Sequence, residues 1–224
     1  MRETVHIENP KGVLRLKGDK YDSILYLKEI PIQFTWIREI GSTWRYQIAK
    51  SVNESDLIQD NSFRHFVKFG NLTVDSLAQQ FDYILKMLSS GKYDLSIDYL
   101  SHDLDLVESV SESRGYYSFD TYGGLEDIIE TQSYYNKDLI DDYIKLIQKG
   151  TEPVIIVLTS LNSKNRFILD GHHKFIAYSR LKKNPRALII TQLDSDKIDN
   201  DEAMNIFDIS NCKNQDYKKR YLDK

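Results

Sequence analysis

Hydrophobic and polar positions alternate along much of the first fifty residues, and this period of two predicts β-strands. The runs rich in β-branched and aromatic residues cover residues 4–7, 12–17, 24–30, 34–40 and 44–52. Turn-forming residues separate the first runs, because residues 9–12 read Asn-Pro-Lys-Gly and residues 17–20 read Lys-Gly-Asp-Lys. Short strands joined by tight turns favour an antiparallel meander, so we expect a β-rich N-terminal part.

The period changes over residues 72–88, where apolar side chains recur at helical spacing. They are Leu77, Phe81, Ile84, Leu85 and Leu88. This spacing predicts a helix of about four turns that ends near Gly91. Residues 95–110 carry mixed signals, and the polar residues 111–124 contain three glycines and predict a linker or mobile loop. We therefore divide the chain into an N-terminal region, 1–115, and a second domain, 116–224.

Helical and strand patterns alternate in the second half of the chain. Residues 138–149 predict an amphipathic helix that ends at Gly150. The continuous apolar run 153–158 predicts a strand buried on both faces, and residues 166–169 and 187–190 predict two more strands around a helix at 175–181. The polar residues after 192 are expected to form a C-terminal tail. The fold class predicted for the whole chain is α+β.

The composition is that of a globular protein, with 41% hydrophobic and 29% charged residues. Cys212 is the only cysteine, which excludes a disulfide framework and a cysteine-rich zinc module and favours a reducing compartment. The N-terminus lacks a signal-peptide pattern, and no stretch approaches the roughly 18 apolar residues of a membrane span. We therefore expect a cytoplasmic protein with no membrane partner.

The charge distribution points to a small anion as the partner. A net charge of -4 argues against a protein that coats nucleic acid, because such binding needs many phosphate contacts. Residues 164–186, however, hold seven basic residues against one acidic residue, a net +6, which leaves -10 on the rest of the chain. One short basic segment on an acidic body suits a small anion better than a long polyanion.

The candidate chemistry lies at residues 170–174, which read Asp-Gly-His-His-Lys between the predicted strand and helix. Asp170 is a natural N-cap, and Gly171 permits a tight turn and the close approach of a ligand. Positive charge in the first helical turn is unfavourable by roughly 0.3–1 kcal/mol without a bound anion. The presence of His172, His173 and Lys174 there therefore predicts a phosphate site.

At these residues the sequence resembles the ParB/sulfiredoxin-like superfamily, whose members carry an Asp-Gly-His-His-Arg or related motif between a strand and a helix. The preceding helix, Gly150 and the strand at 153–158 follow the family's order. Residues 125–132 resemble a degraded form of the family's Ile-x-Pro-Thr-Gln strand. The resemblance covers residues 125–192 and implies a mixed α/β domain there.

Departures from the family pattern narrow the function that the resemblance implies. His172 stands where sulfiredoxin has its reactive cysteine, which excludes sulfinic acid reduction. Only about thirty residues follow residue 192, which argues against the DNA-binding and dimer domains of chromosome-partition proteins. The chain is most similar to members such as the ADP-dependent free serine kinase, whose motif is implied to hold nucleotide phosphates. Lys174 stands where the family has arginine. A lysine keeps the positive charge but lacks the planar guanidinium that binds a phosphate through two parallel hydrogen bonds.

The resemblance implies an NTPase or a small-molecule phosphotransferase that binds ATP, ADP or CTP with Mg²⁺. The phosphate-binding residues would be Asp170, Gly171, His172, His173 and Lys174. Glu130 or Glu126 would act as the catalytic base, with His172 as a further catalytic residue and Thr131 and Gln132 in support. The remaining histidines, His6, His65 and His102, have no ligand spacing to the pair, so no protein-bound metal is expected.

Other interpretations remain open at this stage. In one alternative, Asp170 is only an N-cap. One of the two histidines is then structural, because adjacent helical side chains point about 100° apart and cannot both face one small ligand equally. The chain would then be a non-catalytic interaction module whose N-terminal region docks a protein partner. Glu130, where the family has proline, and Lys174 favour this alternative. A third interpretation is a ParB-like nuclease, which fits the basic segment but not the acidic remainder of the chain.

Overall fold

The structure is a computed structural model that describes residues 1–8, 12–39, 42–50, 76–107, 115–122, 128–131, 135–210, 212 and 215–223. The strands within these ranges are β1 (Arg2–Ile7), β2 (Leu14–Gly18), β3 (Asp22–Leu27), β4 (Ile30–Glu39), β5 (Thr43–Lys50), β6 (Gly91–Tyr99), β7 (Leu106–Val107), β8 (Tyr116–Tyr122), β9 (Ile128–Ile129), β10 (Ile155–Ser160), β11 (Arg166–Asp170) and β12 (Arg186–Gln192). The helices are α1 (Leu77–Gln80), α2 (Asp82–Leu85), α3 (Lys137–Gln148), α4 (His172–Arg180), α5 (Asn200–Ile209) and α6 (Gln215–Leu222). Helices and sheets thus occur together, which agrees with the predicted α+β class.

The strands form two sheets. A five-stranded sheet has the order β2-β3-β4-β5-β8 and is antiparallel throughout, which confirms the predicted meander for β2 to β5. The first predicted strand, residues 4–7, lies instead in the other sheet, where β1 pairs with β6. A seven-stranded sheet has the order β1-β6-β12-β10-β11-β9-β7 and is mixed. Its parallel pairs are β10 with β12, β11 with β9, and β7 with β9.

Both sheets take strands from either side of residue 115. The seven-stranded sheet includes β1 and β6 from the N-terminal region, and the five-stranded sheet ends with β8 from the C-terminal side. The described strands of region 1–115 are therefore shared between the two sheets, and the chain passes from one sheet to the other more than once.

The elements stack in four layers. The main hydrophobic cluster lies between the two sheets and includes Leu16, Leu25, Leu158 and Leu188. A second, aromatic cluster joins the outer face of the five-stranded sheet to α5 and α6. The outer face of the seven-stranded sheet packs against Phe175 of α4, and α4 packs against α3. Because helices cover the outer face of each sheet, β3 and β10 are buried at every position.

Three predicted elements need correction. The four-turn helix at 72–88 is two short helices, because the backbone leaves helical geometry at Phe81; the start of that prediction, residues 72–75, lies outside the described residues. Gly91 does not end a helix but begins β6. The segment predicted as a linker contains β8, which pairs with β5 over seven residues; residues 111–114, 123 and 124 of that prediction are not described.

The predicted polar C-terminal tail is also wrong, because α5 and α6 pack against the five-stranded sheet. Phe207 and Tyr221 contact Phe34 and Trp36 with ring centroids 5.3–5.7 Å apart. The Tyr221 hydroxyl donates to the buried Asp22 carboxylate at 3.0 Å. The many charged residues of these helices mask their apolar spacing in the sequence.

The helix α3 lies within one residue of its predicted bounds, whereas α4 begins three residues before the predicted residue 175. The side chain of Asn136 caps α3 by accepting the Leu139 N–H at 3.2 Å. Gly150 has the left-handed φ of 87°, and the Thr151 N–H donates to the Leu146 carbonyl at 3.1 Å, which closes the helix in a Schellman motif. These contacts fix where α3 begins and ends beside α4.

Candidate functional site

The turn at residues 170–174 is shaped by packing inside the fold. Gly171 has φ 104°, a conformation that favours glycine, and a Cβ on it would lie 2.7 Å from Ile155 Cγ2. Gly171 is also the N-cap of α4, without a side-chain cap bond, so the prediction that Asp170 is the N-cap is wrong. Asp170 is the last residue of β11, and its carboxylate accepts from Lys174 instead. The glycine is thus required by the turn and by β10, with no need for a ligand.

Lys174 is buried, with 4% of its side chain exposed. Its ammonium donates to the Asp170 carboxylate and to the Val154 carbonyl at 3.0 Å. It also lies 5.9 Å from the ring centroid of Tyr143 on α3. The positive charge predicted to hold a phosphate is therefore balanced within the protein.

His172 is buried and neutral. Its Nε2 accepts the backbone N–H of Thr131 at 3.1 Å. Burial lowers the pKa of His172 to about 3; Asp170 acts to raise it, while His173 and Lys174 add to the lowering. An imidazole with this pKa carries no charge at neutral pH and contributes no cation to the turn.

His173 contacts the same connection as His172, five residues further along the chain. Its Nε2 accepts the Asn136 N–H at 2.9 Å, and its ring meets Tyr135 edge to face with centroids 6.0 Å apart. Adjacent side chains on a helix point about 100° apart. Accordingly, the His172 ring contacts Thr131 and the His173 ring contacts Asn136. We call these two hydrogen bonds the histidine clamp.

The histidine clamp and the Lys174–Asp170 pair change the interpretation of the motif. A phosphate clamp needs cationic or donor groups that face a shared space, yet both Nε2 atoms are acceptors and Lys174 is paired internally. The arrangement therefore does not support the prediction that these side chains grip an oxyanion together. Two further basic residues of this segment are also paired with carboxylates, Arg180 with Asp141 and Arg186 with Glu152.

Glu130 and Thr131 lie at the end of β9, between the two sheets. The Thr131 hydroxyl donates to the Ile168 carbonyl at 2.6 Å, which ties β9 to β11. The Glu130 N–H donates to the Val107 carbonyl at 3.2 Å, and its own carbonyl accepts from Gln33 Nε2 at 2.9 Å. Glu130 is fully buried. The other two predicted residues of this segment, Glu126 and Gln132, lie outside the described residues.

The five-stranded sheet has buried polar side chains on one face, and one of them, Gln33, contacts the Glu130 carbonyl. Thr35 lies opposite both Ser23 and Gln47 in the sheet, and side chains directly opposite in antiparallel strands point to the same face. Gln33 and Arg45, two residues away along their strands, share that face. We call the set Ser23, Gln33, Thr35, Arg45 and Gln47 the polar layer. Every member is at most 2% exposed.

One part of the polar layer is joined to the β10–β11 turn by hydrogen bonds. Arg45 donates to the amide oxygen of Asn165, and the Asn165 amide nitrogen donates to Ser23 Oγ at 3.1 Å and to the Tyr21 carbonyl at 3.2 Å. Thr159 donates to the Asn165 carbonyl at 2.8 Å. This part fixes the two sheets against each other.

The other part has polar atoms without hydrogen-bond partners among the described residues. They are Gln33 Oε1, Thr35 Oγ1, Gln47 Oε1 and Gln47 Nε2. Native proteins leave few buried polar atoms unpaired. Sequence reasoning missed these residues because alternating apolar and polar positions in β4 and β5 normally indicate a solvent-facing polar side. The only sequence signal is that two glutamines and an arginine recur at that spacing in neighbouring strands.

Metal and membrane features are absent from the part of the chain that the structure describes. No three His, Cys, Asp or Glu side chains there lie close enough to hold a metal ion. No described helix has the length and apolar character needed to cross a membrane.

Comparison of the chain with protein-family models, with curated proteins and with solved structures finds no match in any of the three. The function must therefore be argued from the geometry of this chain alone.

Proposed function

We propose that this protein binds a nucleotide or another phosphorylated small molecule between its two sheets, at Glu130, and not on the turn at residues 170–174. Residues 128–192 would then be a ParB/sulfiredoxin-like unit, which the order β9, α3, β10, β11, α4, β12 supports. The observation that carries the proposal is that Glu130 is fully buried beside the polar layer.

The backbone around Glu130 is fixed from several directions. Its N–H is bonded to Val107, its carbonyl to Gln33, and the next residue, Thr131, to His172 and to Ile168. Such restraint suits a reacting group, because catalysis and specific binding need side chains held by rigid neighbours. In this proposal the histidine clamp positions the segment, and its two rings do not touch the ligand.

The charged side chains between the two sheets suit an acid–base role toward an anionic molecule. Arg45 places a guanidinium in the polar layer, and a buried guanidinium favours an anionic group over a cationic one. Glu130 would act as general base toward the acceptor hydroxyl. Any Mg²⁺ would arrive with the nucleotide and rely on phosphate oxygens, because no three metal-binding side chains meet among the described residues.

A second candidate function is a non-catalytic interaction module. It is favoured by the specific observation that His172, His173, Lys174 and Asp170 all have partners inside the fold. In that case nucleotides would not bind, and Glu130 would serve only to join the sheets.

Isothermal titration calorimetry with ATP, ADP and CTP, each with Mg²⁺, tests the proposal. The wild type is expected to bind at least one nucleotide, and Glu130→Gln is expected to lose NTP hydrolysis or phosphoryl transfer while it stays folded. Glu8→Gln is the matched control, because Glu8 is exposed. Absence of binding at millimolar nucleotide would overturn the proposal and favour the interaction module.

A further inference from the structure

Gln33, Thr35 and Gln47 form a compact group on the inner face of β4 and β5. Thr35 and Gln47 are direct cross-strand partners, and Gln33 is two residues from Thr35 on the same face. Thr35 and Gln47 are fully buried and Gln33 is nearly so. Their side chains therefore lie on one buried face of the sheet.

The group holds several buried polar atoms that form no hydrogen bond among the described residues. Ser23, Arg45 and Asn165 are joined by hydrogen bonds, whereas four atoms of the group have no hydrogen-bond partner in the described part of the chain. A buried donor or acceptor without a partner destabilises the fold, because it has lost its bonds to water. Retaining four such atoms on one face of the sheet is readily explained if a polar molecule binds to them.

The chemistry of the group identifies the kind of molecule. Gln47 places an amide donor and an amide acceptor side by side, Thr35 adds a hydroxyl, and Gln33 adds an acceptor. None of these groups is charged. A carboxamide matches a planar edge that presents an acceptor beside a donor, as a nucleobase or another cyclic amide does.

Gln33 connects this group to the proposed site. Its amide nitrogen donates to the Glu130 carbonyl, while its Oε1 is one of the atoms without a partner. A molecule held by the group would thus lie next to the segment that carries Glu130.

We infer that Gln47, Thr35 and Gln33 bind the uncharged planar edge of the ligand, of the nucleobase type, beside Glu130. The inference rests on the proposed function and specifies which part of the ligand is recognised. It assigns recognition of the nucleobase to the five-stranded sheet, which lies outside residues 125–192, the part of the chain that resembles the ParB/sulfiredoxin-like superfamily.

Calorimetry and thermal shift with the four ribonucleosides and with inorganic pyrophosphate test the inference on the full chain. At least one nucleoside should bind the wild type without any phosphate. Gln47→Met, of nearly the same shape, should weaken that binding about tenfold or more, the effect of losing one or more hydrogen bonds. Its affinity for pyrophosphate should be unchanged.

Two further variants keep the result interpretable. Gln192→Met removes another buried amide, three strands from β9 in the seven-stranded sheet, and should leave nucleoside binding unaltered. Without ligand, Gln47→Met should melt no lower than the wild type, because it removes amide atoms that have no partner. Thr35→Val should weaken nucleoside binding in the same direction as Gln47→Met.

The failures can be told apart. If pyrophosphate or nucleotides bind and no nucleoside does, the inference is wrong and the proposed function stands. If no phosphorylated or unphosphorylated ligand binds, both fail. If Gln47→Met melts below the wild type and leaves nucleoside affinity unchanged, the amide serves the fold alone, as it would when bonded to water, and the inference is overturned.

Discussion

His172 Nε2 accepts the backbone N–H of Thr131 at 3.1 Å, across 41 positions of the sequence. Through this bond a helix residue of the motif holds the strand end that carries Glu130. His173 holds the other end of the same connection through Asn136. A pair of histidines that looks like a ligand-binding motif in sequence thus serves to join two segments of the fold.

Replacing His172 by leucine should destabilise the protein by about 1–3 kcal/mol, because the buried Thr131 N–H would lose its acceptor. His172→Gln should retain part of the stability, since the glutamine Oε1 can reach a position close to that of Nε2. Denaturant midpoints measure the difference. His6→Gln, at an exposed position, should change stability by no more than about 0.5 kcal/mol. Equal stability of His172→Leu and the wild type would contradict the histidine clamp.

Stability should fall as the pH is lowered from about 6.5 towards 3. Burial lowers the pKa of His172 from the usual 6.5 to about 3, so between these values the unfolded chain binds a proton at this position that the folded chain does not. The effect is at most about 1.4 kcal/mol for each pH unit. Unfolding free energies measured at pH 5–7 should therefore depend more steeply on pH in the wild type than in His172→Gln. Parallel curves for the two proteins would contradict a neutral, buried His172.

Gly171→Ala should be considerably more destabilising than Gly150→Ala. Both glycines have positive φ, 104° and 87°, so each substitution brings a similar backbone strain of about 1–2 kcal/mol. Only at Gly171 would the new Cβ meet a neighbour, Ile155, whereas nothing lies within 4 Å at Gly150. Thermal unfolding of the two variants isolates the contact with Ile155. Equal losses would show that the turn does not pack as described.

The Lys174–Asp170 pair should show strong coupling in a double-mutant cycle. Asp170→Asn leaves a buried ammonium without its carboxylate and should cost about 3–5 kcal/mol. Lys174→Met leaves a carboxylate that is 26% exposed, and its loss should be smaller. The double variant should be more stable than Asp170→Asn alone. If the stability losses of the two single variants simply add up in the double variant, the two charges do not interact, which would contradict the pair.

Much of the fold could be predicted because its signals are local. The apolar run at 153–158 predicted β10 to within two residues, and the amphipathic pattern ended by Gly150 predicted α3 to within one residue. Long-range packing decided the rest. The strand β8 and the helices α5 and α6 mix apolar with polar and charged residues, and their place in the fold depends on contacts with the five-stranded sheet that are distant in sequence.

The site was harder to predict, since residue type does not show what a side chain contacts. His172, His173 and Lys174 were found from the sequence, yet their partners Thr131, Asn136 and Val154 lie 20–41 positions away. Gln33 and Gln47 carried no signal of their own, because a polar residue in an alternating strand predicts a solvent-facing side. Their role depends on a second sheet that covers that side.

The tautomers of His172 and His173 test the central claim most directly. Because both Nε2 atoms accept backbone N–H groups, each neutral ring must carry its proton on Nδ1. Two-bond ¹H–¹⁵N correlation spectra of the protein with ¹⁵N-labelled histidine distinguish this tautomer among its five histidines. We expect Nδ1–H signals for these two residues that do not change when pyrophosphate is added. Protonated Nε2 atoms that shift with pyrophosphate would contradict the histidine clamp and restore the turn as an anion site.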